Sequence, residues 1–398
     1  MINSKVINIL GIICVFLGIS MLPSIGWCLY YSEPDFTPFL KSSLITISVG
    51  LFLYFITKFY LRKEDRDLQS IEGFTIVSLG WIVMGVFSSL PFYLSDINLS
   101  FVDSFFEAMS GLTTTGATIF GNHILIEDLS HGLLFWRSFT QFIGGMGIIV
   151  FSIAILPLLG IGGVQLFKAE VAGPTADKMT PRIKQTAKLL WGIYVGLVIL
   201  LTSILYIEGM SFFDAICHSF TTIATAGFST HSESIAFFDN PIIEWTIIVF
   251  MLIAATNFTL HYLLLSKAKF EYFKNEEFKI YFYTFFIVSI IIFFNLNYYN
   301  MFNWSLESLR DSMFTTATLL STTGFTTANY ELWPNLSVMF VFILFFIGGT
   351  SGSTTGALKI IRTVLIVKYL IYEMKKLLHP NGIYNIKIGG KIIEEDVV

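Results

Sequence analysis

Three short segments decide the fold of this chain: DSFFEAMSGLTTTGAT at 103–118, DAICHSFTTIATAGFST at 214–230 and DSMFTTATLLSTTGFTT at 311–327. In each segment a Gly lies 13 residues after the Asp, a Thr lies two residues before that Gly, and a hydroxyl residue lies two residues after it. The glycines follow one another at spacings of 111 and 97 residues. The chain therefore contains a threefold internal repeat, and in each unit a long apolar run lies on either side of the segment.

The sequence around the repeats is strongly apolar. Of 398 residues, 54% are hydrophobic and only 13% are charged, whereas soluble domains carry roughly 25% charged residues. The mean hydropathy is +0.72. A net charge of −4 and three cysteines exclude a nucleic-acid-binding protein and a disulfide scaffold. The composition predicts an all-α polytopic membrane protein.

Eight apolar runs are long enough to cross a bilayer as helices. If the N-terminus is inside and each run crosses once, 21 of the 24 Lys and Arg fall on the inner side, as the positive-inside rule requires. Both termini are then cytoplasmic, and the repeated segments lie outside between spans. The predicted spans are 6–30, 40–60, 73–95, 132–160, 186–208, 240–265, 278–298 and 336–370.

Each repeated segment is too short to cross the membrane and too apolar for an ordinary loop. Asp is a good N-cap, so Asp103, Asp214 and Asp311 are predicted to begin short pore helices that enter the membrane from outside. The Thr and Gly residues that follow would return outward with carbonyl oxygens facing one axis, because irregular backbone at this depth must line a watery path or be buried in protein. The pattern predicts an ion-conducting pore. The predicted ion-binding filter residues are Thr114, Thr115, Gly116, Thr225, Ala226, Gly227, Thr322, Thr323 and Gly324.

Longer motifs in the chain resemble those of the membrane subunit of bacterial Trk-type potassium uptake systems, in the Trk/Ktr/HKT superfamily, and the TrkH/TrkG branch most of all. The likeness covers nearly the whole chain. It rests on SGLTTTGAT (110–118), FIGGMGIIVFSIAILP (142–157), HSFTTIATAGFSTH (218–231), STTGFTT (321–327), GGTSGSTTGALKIIR (348–362) and HPNGIYNIKIGGK (379–391).

The resemblance implies passive or ion-coupled K⁺ uptake, with H⁺ or Na⁺ as the coupling ion and no cofactor. Gly116 at the first filter position goes with a preference for potassium over sodium in this superfamily. A Gly-rich loop below the filter acts as the gate, here with Gly348, Gly349, Gly352 and Gly356; close helix packing by small residues is the alternative role for these glycines. Family members are homodimers in the bacterial cytoplasmic membrane and bind a cytosolic, TrkA-like, nucleotide-binding regulatory subunit.

The family has four filter repeats, and this chain contains three. We divide it into two N-terminal transmembrane helices (1–66), a first pore repeat (67–163), a cytoplasmic linker (164–185), a second repeat (186–274), a third repeat with the gating loop 348–356 (275–378), and a cytoplasmic tail that would begin a fourth repeat (379–398). Three quadrants leave one side of a carbonyl-lined path open to lipid, and unpaired backbone there costs several kcal/mol per group. We therefore expect that the chain alone does not conduct selectively, and that it is truncated or receives the last quarter from a separate fragment.

Two further interpretations remain open. Residues 349–352 fit the G-x-S-G pattern of rhomboid-type intramembrane serine proteases, with Ser351 as nucleophile and His261 as base, although a protease would leave the threefold repeat unexplained. Within transport, a nonselective or sodium-carrying protein is the nearer competitor. Arg137, near the outer start of a span, is expected to reach the membrane interface or to pair with an outer acid rather than to serve transport.

Overall fold

The computed structural model describes residues 4–61, 70–121, 124–147, 183–267, 274–299, 304–379, 384–388 and 391–393. The second half of the predicted span at 132–160 and most of the predicted linker at 164–185 lie outside these residues. The chain divides into two compact units. Unit 1 ends at Phe237, and unit 2 begins at Phe238. Helices dominate both units, so the prediction of an all-α membrane protein is confirmed.

Unit 1 consists of helices that pack on one another in pairs, several of which are not adjacent in the sequence. α1 packs mainly on α3 and α4, α6 packs on α4 and α7, and α9 packs on α7 and α8. Small residues permit the closest of these contacts: a Cβ added to Gly50 of α3 would lie 2.6 Å from the carbonyl oxygen of Gly11 in α1. The helices are α1 (Ser4–Ser20), α2 (Leu22–Tyr30), α3 (Phe36–Leu61), α4 (Ser70–Ser88), α5 (Leu90–Leu94), α6 (Phe101–Leu112), α7 (His131–Gly145), α8 (Ile183–Ile207) and α9 (Phe212–Ile223).

Unit 2 repeats the arrangement of a long helix, a short helix and a second apolar helix. α13 packs between α10 and α12, while α14 packs on α12 and α13. An antiparallel hairpin, in which Ile386 lies opposite Ile393, follows the last helix. The elements are α10 (Pro241–Ala254), α11 (Phe258–Lys267), α12 (Glu276–Tyr298), α13 (Leu306–Leu320), α14 (Asn335–Leu344), α15 (Ile360–Leu378), β1 (Ile386–Ile388) and β2 (Lys391–Ile393).

Five of the predicted spans correspond to helices that are long and apolar enough to cross a membrane within the described ranges. They are Ser4–Tyr30, Phe36–Lys58, Ile71–Leu94, Lys188–Ile207 and Glu276–Tyr298. The run at 240–265 differs from the expected straight helix, because α10 and α11 are bent by 97° at a break. The run at 336–370 is also interrupted, by non-helical residues between α14 and α15.

Candidate functional site

The three short helices α6, α9 and α13, which we call the pore helices, begin at serines. The hydroxyls of Ser100 and Ser211 accept hydrogen bonds from the backbone N–H of Asp103 and Asp214, at 3.1 and 3.0 Å. Each of these two Asp residues lies at the third helical position, where its carboxylate accepts a hydrogen bond from the same serine. The positive end of the helix dipole stabilises the negative carboxylate there.

The prediction that Asp103, Asp214 and Asp311 are the N-caps is therefore wrong. The third pore helix departs furthest from it. Ser305 caps α13 by accepting from the N–H of Ser308, so Asp311 lies in the second turn. This pore helix has 15 residues, against 12 in each of the other two.

All three pore helices end in the same backbone motif. The residue two positions after each helix, Thr114, Thr225 or Thr322, adopts a left-handed φ between 52° and 54°. Its N–H and that of the next residue bond back to carbonyls near the helix end; in α6 these are Thr114 to Gly111 at 3.0 Å and Thr115 to Ser110 at 2.9 Å. This is a Schellman motif in which Thr takes the place that Gly usually occupies.

The repeated glycine two residues later also has a left-handed φ: 75° at Gly116, 79° at Gly227 and 91° at Gly324. A left-handed φ at a Thr is rare and costs free energy of order 1–3 kcal/mol, so it persists only where the surroundings enforce it. Two left-handed residues separated by one other residue therefore follow each pore helix, in the same positions of all three repeats. We call residues 113–118, 224–229 and 321–326 filter segments 1, 2 and 3.

Filter segments 1 and 2 contact each other directly within unit 1. A Cβ built on Gly116 would lie 2.2 Å from the carbonyl oxygen of Ala226, so no side chain fits there. Gln141 of α7 holds the other side of this contact: its Nε2 donates to the oxygen of Ala226 at 3.0 Å, and its Oε1 accepts from the N–H of Phe228 at 3.1 Å. The buried amide thus clamps the backbone on both sides of Gly227.

A buried ion pair lies beside this clamp. Arg137 Nε donates to Glu107 Oε1 at 2.7 Å, and the two side chains are 1% and 0% exposed. The guanidinium also donates to the carbonyl oxygen of Ser229 and to the hydroxyl of Thr118, each at 3.2 Å, and it lies 4.3 Å from the centre of the Phe228 ring. Of the two expectations for Arg137, the buried side chain contradicts reaching the membrane interface, whereas pairing with an acid holds: the acid is Glu107 of the first pore helix.

The hydroxyls two residues after the repeated glycines bond to the pore helices. Thr118 bonds to both carboxylate oxygens of Glu107, at 3.0 Å each. In the second repeat Ser229 Oγ lies 2.9 Å from Nε2 of the buried His218. Glu107 and His218 both lie nine residues before the repeated Gly, so one position on the pore helix braces the strand in both repeats.

Sequence analysis missed Gln141 and Glu107 as parts of this site. The available signal was the polar residues of α7, since Arg137 and Gln141 are four residues apart in an otherwise apolar helix and therefore lie on one face. A charged residue inside a membrane helix normally faces a partner in the protein interior.

In unit 2, filter segment 3 bonds to the Gly-rich loop at 348–356. The N–H of Gly356 donates to Thr322 Oγ1 at 2.8 Å, so the left-handed Thr that follows the third pore helix also holds the loop. Two glycines are required in the loop because backbone passes close to them. A Cβ added to Gly348 would lie 2.2 Å from the carbonyl oxygen of Gly356, and one added to Gly349 would lie 2.5 Å from that of Ala255.

The break between α10 and α11 supplies the other anchor of the loop. Thr350 donates to the carbonyl oxygen of Ala255 through its N–H at 2.9 Å and through its hydroxyl at 3.2 Å. Beyond the break, the N–H of Phe258 donates to the oxygen of Gly352 at 3.1 Å. The bend therefore exposes backbone groups that the loop satisfies, as non-helical backbone inside a membrane requires.

Two charged side chains complete the loop. Glu277 Oε1, at the start of α12, accepts the N–H of Ser351 at 2.7 Å and that of Ile361 at 3.3 Å. Lys359 Nζ donates to the hydroxyl of Thr355 at 2.7 Å and also to its carbonyl oxygen.

His261, the base in the protease interpretation, directs its Nε2 to the backbone oxygen of Ile253 at 3.0 Å.

Comparison with known proteins assigns the chain to a family. The family model for TrkH, described as a cation transport protein, matches residues 38–398. The chain belongs to the TrkH family. The resemblance found in the sequence is thereby confirmed, and TrkH proteins are transporters rather than enzymes.

Several TrkH relatives match over nearly the whole chain. The Trk system potassium uptake protein TrkH of Escherichia coli K12 is 40% identical over 395 residues, which is 98% of this chain and 80% of that protein. TrkG of the same strain, another Trk system potassium uptake protein, is 34% identical over 403 residues. The crystal structure of the potassium transporter TrkH from Vibrio parahaemolyticus superimposes with a TM-score of 0.86 at 37% identity, covering 99% of this chain and 80% of that one. These matches give no support to the intramembrane-protease interpretation.

Proposed function

We propose that this chain mediates potassium uptake across the cytoplasmic membrane. The membrane potential drives the uptake, which is either passive or coupled to H⁺ or Na⁺. The observation that carries the proposal is the backbone of the three filter segments, where the same pair of left-handed residues follows each pore helix. TrkH relatives named as potassium uptake proteins support the choice of ion. An inside-negative potential contributes about 2.3 kcal/mol per charge per 100 mV, so K⁺ entry needs no catalytic group and no cofactor.

In this proposal, carbonyl oxygens of the filter segments replace the hydration shell of K⁺. The predicted ligands are the backbone oxygens at Thr114, Thr115, Gly116, Thr225, Ala226, Gly227, Thr322, Thr323 and Gly324. The oxygen of Ala226 already accepts a hydrogen bond from Gln141. The pore helices direct the negative ends of their dipoles toward the segments, which favours a cation there.

The loop at 348–356 is proposed as the gate. Its contacts support this role, because it is non-helical and bonds to filter segment 3 through Thr322. It is held by backbone and side-chain hydrogen bonds to several other segments of unit 2, among them those to Ala255 and Glu277. Opening would require some of these bonds to exchange for water, which is a smaller change than melting a helix.

The family resemblance further supports a homodimer with both termini in the cytoplasm, regulated by a cytosolic nucleotide-binding subunit. The relatives are named as members of a Trk system, which implies more than one component. The distribution of Lys and Arg supports the orientation, and the long apolar helices support the membrane location.

Growth of a bacterium that lacks its own potassium uptake tests the proposal. Residues 1–398 would be expressed alone and together with a fourth repeat from a TrkH relative, in medium with micromolar to millimolar K⁺. We expect growth at low K⁺ in the co-expressing strain and its loss when Gly116 is replaced by Ala. Failure to grow in both strains, with the protein present in the membrane, would contradict potassium uptake. Growth stimulated equally by Na⁺ would favour the nonselective competitor.

A further inference from the structure

The filter segments of unit 1 are held from behind by charged side chains that sequence reasoning assigned no role. The pair formed by Glu107 and Arg137 is fully buried, and it contacts both segments. Glu107 accepts the Thr118 hydroxyl and the N–H of Ile119, at 3.0 and 3.1 Å, on the side of segment 1. Arg137 reaches the carbonyl oxygen of Ser229 on the side of segment 2.

The chemistry of the two side chains makes this brace rigid. A guanidinium presents donors in a planar fork, so its separate contacts to Glu107, Thr118 and Ser229 fix one orientation of the group. Water does not compensate a broken contact here, since both side chains are excluded from it. A change in the separation of Thr118 and Ser229 therefore breaks at least one charge-assisted hydrogen bond.

The clamp made by Gln141 adds to the brace from the same helix face. Arg137 and Gln141 are one helical turn apart on α7, and both hold segment 2. α7 therefore supplies side chains that hold filter segments from two different repeats in place. Discrimination between cations depends on cavity size and on the number and field strength of the oxygens around the ion, and both follow from that positioning.

We propose that Glu107 and Arg137 are positioning residues that set the preference for K⁺ over Na⁺ by holding filter segments 1 and 2 at a fixed separation. Neither residue is a ligand of the ion in this inference, which rests on the proposed function. The pair acts through Thr118 and Ser229, and its effect is on which cation is preferred rather than on whether the loop at 348–356 opens.

Two variants test the inference at different strength. Arg137→Lys keeps the charge but loses the fork, since one ammonium group does not replace contacts made by Nε, Nη1 and Nη2. Thr118→Val keeps the shape and removes the hydroxyl that joins the pair to segment 1; that hydroxyl also accepts the N–H of Phe120 at 3.1 Å. The matched control is Thr75→Val, because the Thr75 hydroxyl is exposed and donates within its own helix, to the oxygen of Ile71 at 2.8 Å.

The full chain, purified together with the co-expressed fourth repeat, would be titrated with KCl and NaCl at constant ionic strength, and the concentration of each salt that gives half of its thermal stabilisation would be compared. We expect the ratio of the Na⁺ value to the K⁺ value to fall at least tenfold in Arg137→Lys, about threefold in Thr118→Val, and to be unchanged in Thr75→Val. ⁸⁶Rb⁺ uptake in competition with Na⁺ in the co-expressing strain should show the same order.

The outcomes separate the two proposals. If the wild-type chain prefers K⁺ and both variants, present at the wild-type level, retain the ratio within twofold, the positioning role is refuted while potassium binding stands. If Arg137→Lys does not fold, Thr118→Val alone decides in the same way. If the wild-type chain with the fourth repeat shows no preference for K⁺, the proposed function fails and the inference fails with it.

Discussion

Replacement of Gly116 by Ala is the most direct test of the contact between filter segments 1 and 2. The new Cβ would lie 2.2 Å from the carbonyl oxygen of Ala226, whereas real Cβ contacts stay above 3.0 Å. The segments must therefore separate by about 0.8 Å, which strains the bond from Gln141 to the same oxygen. Losing that bond costs about 1 kcal/mol net, and Ala at a left-handed φ of 75° adds about 1–2 kcal/mol.

The sum, about 2–3 kcal/mol, disfavours the arrangement of the segments that binds the ion. Since 1.4 kcal/mol corresponds to a factor of ten, we expect the K⁺ concentration for half-maximal thermal stabilisation to rise roughly 30- to 150-fold. The control is Gly121→Ala, which also has a left-handed φ, 112°, but has no described atom within 4 Å of the added Cβ. That variant should lower the melting temperature without changing the response to K⁺. An equal change of the K⁺ response in both variants, or a shift below threefold in Gly116→Ala, would refute the steric reasoning.

Three further predictions concern the gate, a helix cap and pH. Glu277→Gln weakens the bonds from the N–H groups of Ser351 and Ile361 from charge-assisted to neutral, about 1 kcal/mol, so K⁺ uptake should rise up to about fivefold; unchanged uptake would mean that this anchor does not restrain the loop. Ser211→Ala removes the cap of the second pore helix and should lower the free energy of unfolding by about 1 kcal/mol, whereas Ser203→Ala, an exposed mid-helix control, should change it little. Burial alone would raise the pKa of Glu127, but hydrogen bonds from Ser232 outweigh it and hold that pKa below its ordinary value of 4.5. The stability that Glu127 adds over Glu127→Gln should therefore be constant above pH 4.5 and disappear as the pH falls below it, as measured by melting temperature against pH; a difference that grows on acidification would contradict this sign.

The sequence predicts the repeats well because each one carries its own local signal. The Thr at the left-handed position, the Gly two residues later and the hydroxyl beyond it all recur at fixed offsets, and the structure gives the three segments the same backbone. The cap assignment failed for a local reason as well. A Ser three residues before an Asp offers two capping groups, and the hydroxyl of Ser100 takes the cap while the carboxylate of Asp103 bonds to that hydroxyl.

The broken helix was beyond sequence reasoning because its cause is tertiary. Residues 240–265 read as one continuous apolar run, yet the chain bends by 97° after Ala254. The freed carbonyl oxygen of Ala255 accepts from Thr350, almost a hundred residues away. A bend of this kind is stable in a membrane only when such a partner is present, and no pattern in the run itself reveals that partner.

The three filter segments share a backbone but differ in the groups that contact them. This difference separates the segments that are held in place from the segment that moves with the loop. Nine residues before the repeated Gly, the pore helices carry Glu107, His218 and Thr315. The first two bond to the hydroxyl that follows their own filter glycine, and the brace in the first repeat extends through Arg137 to the second. In the third repeat, Thr322 accepts a bond from the N–H of Gly356 in the loop. A displacement of the loop therefore acts directly on filter segment 3, whereas segments 1 and 2 are fixed by buried polar groups of their own unit. Substitutions at equivalent positions should for this reason differ in kind, altering cation preference in the first two repeats and opening in the third.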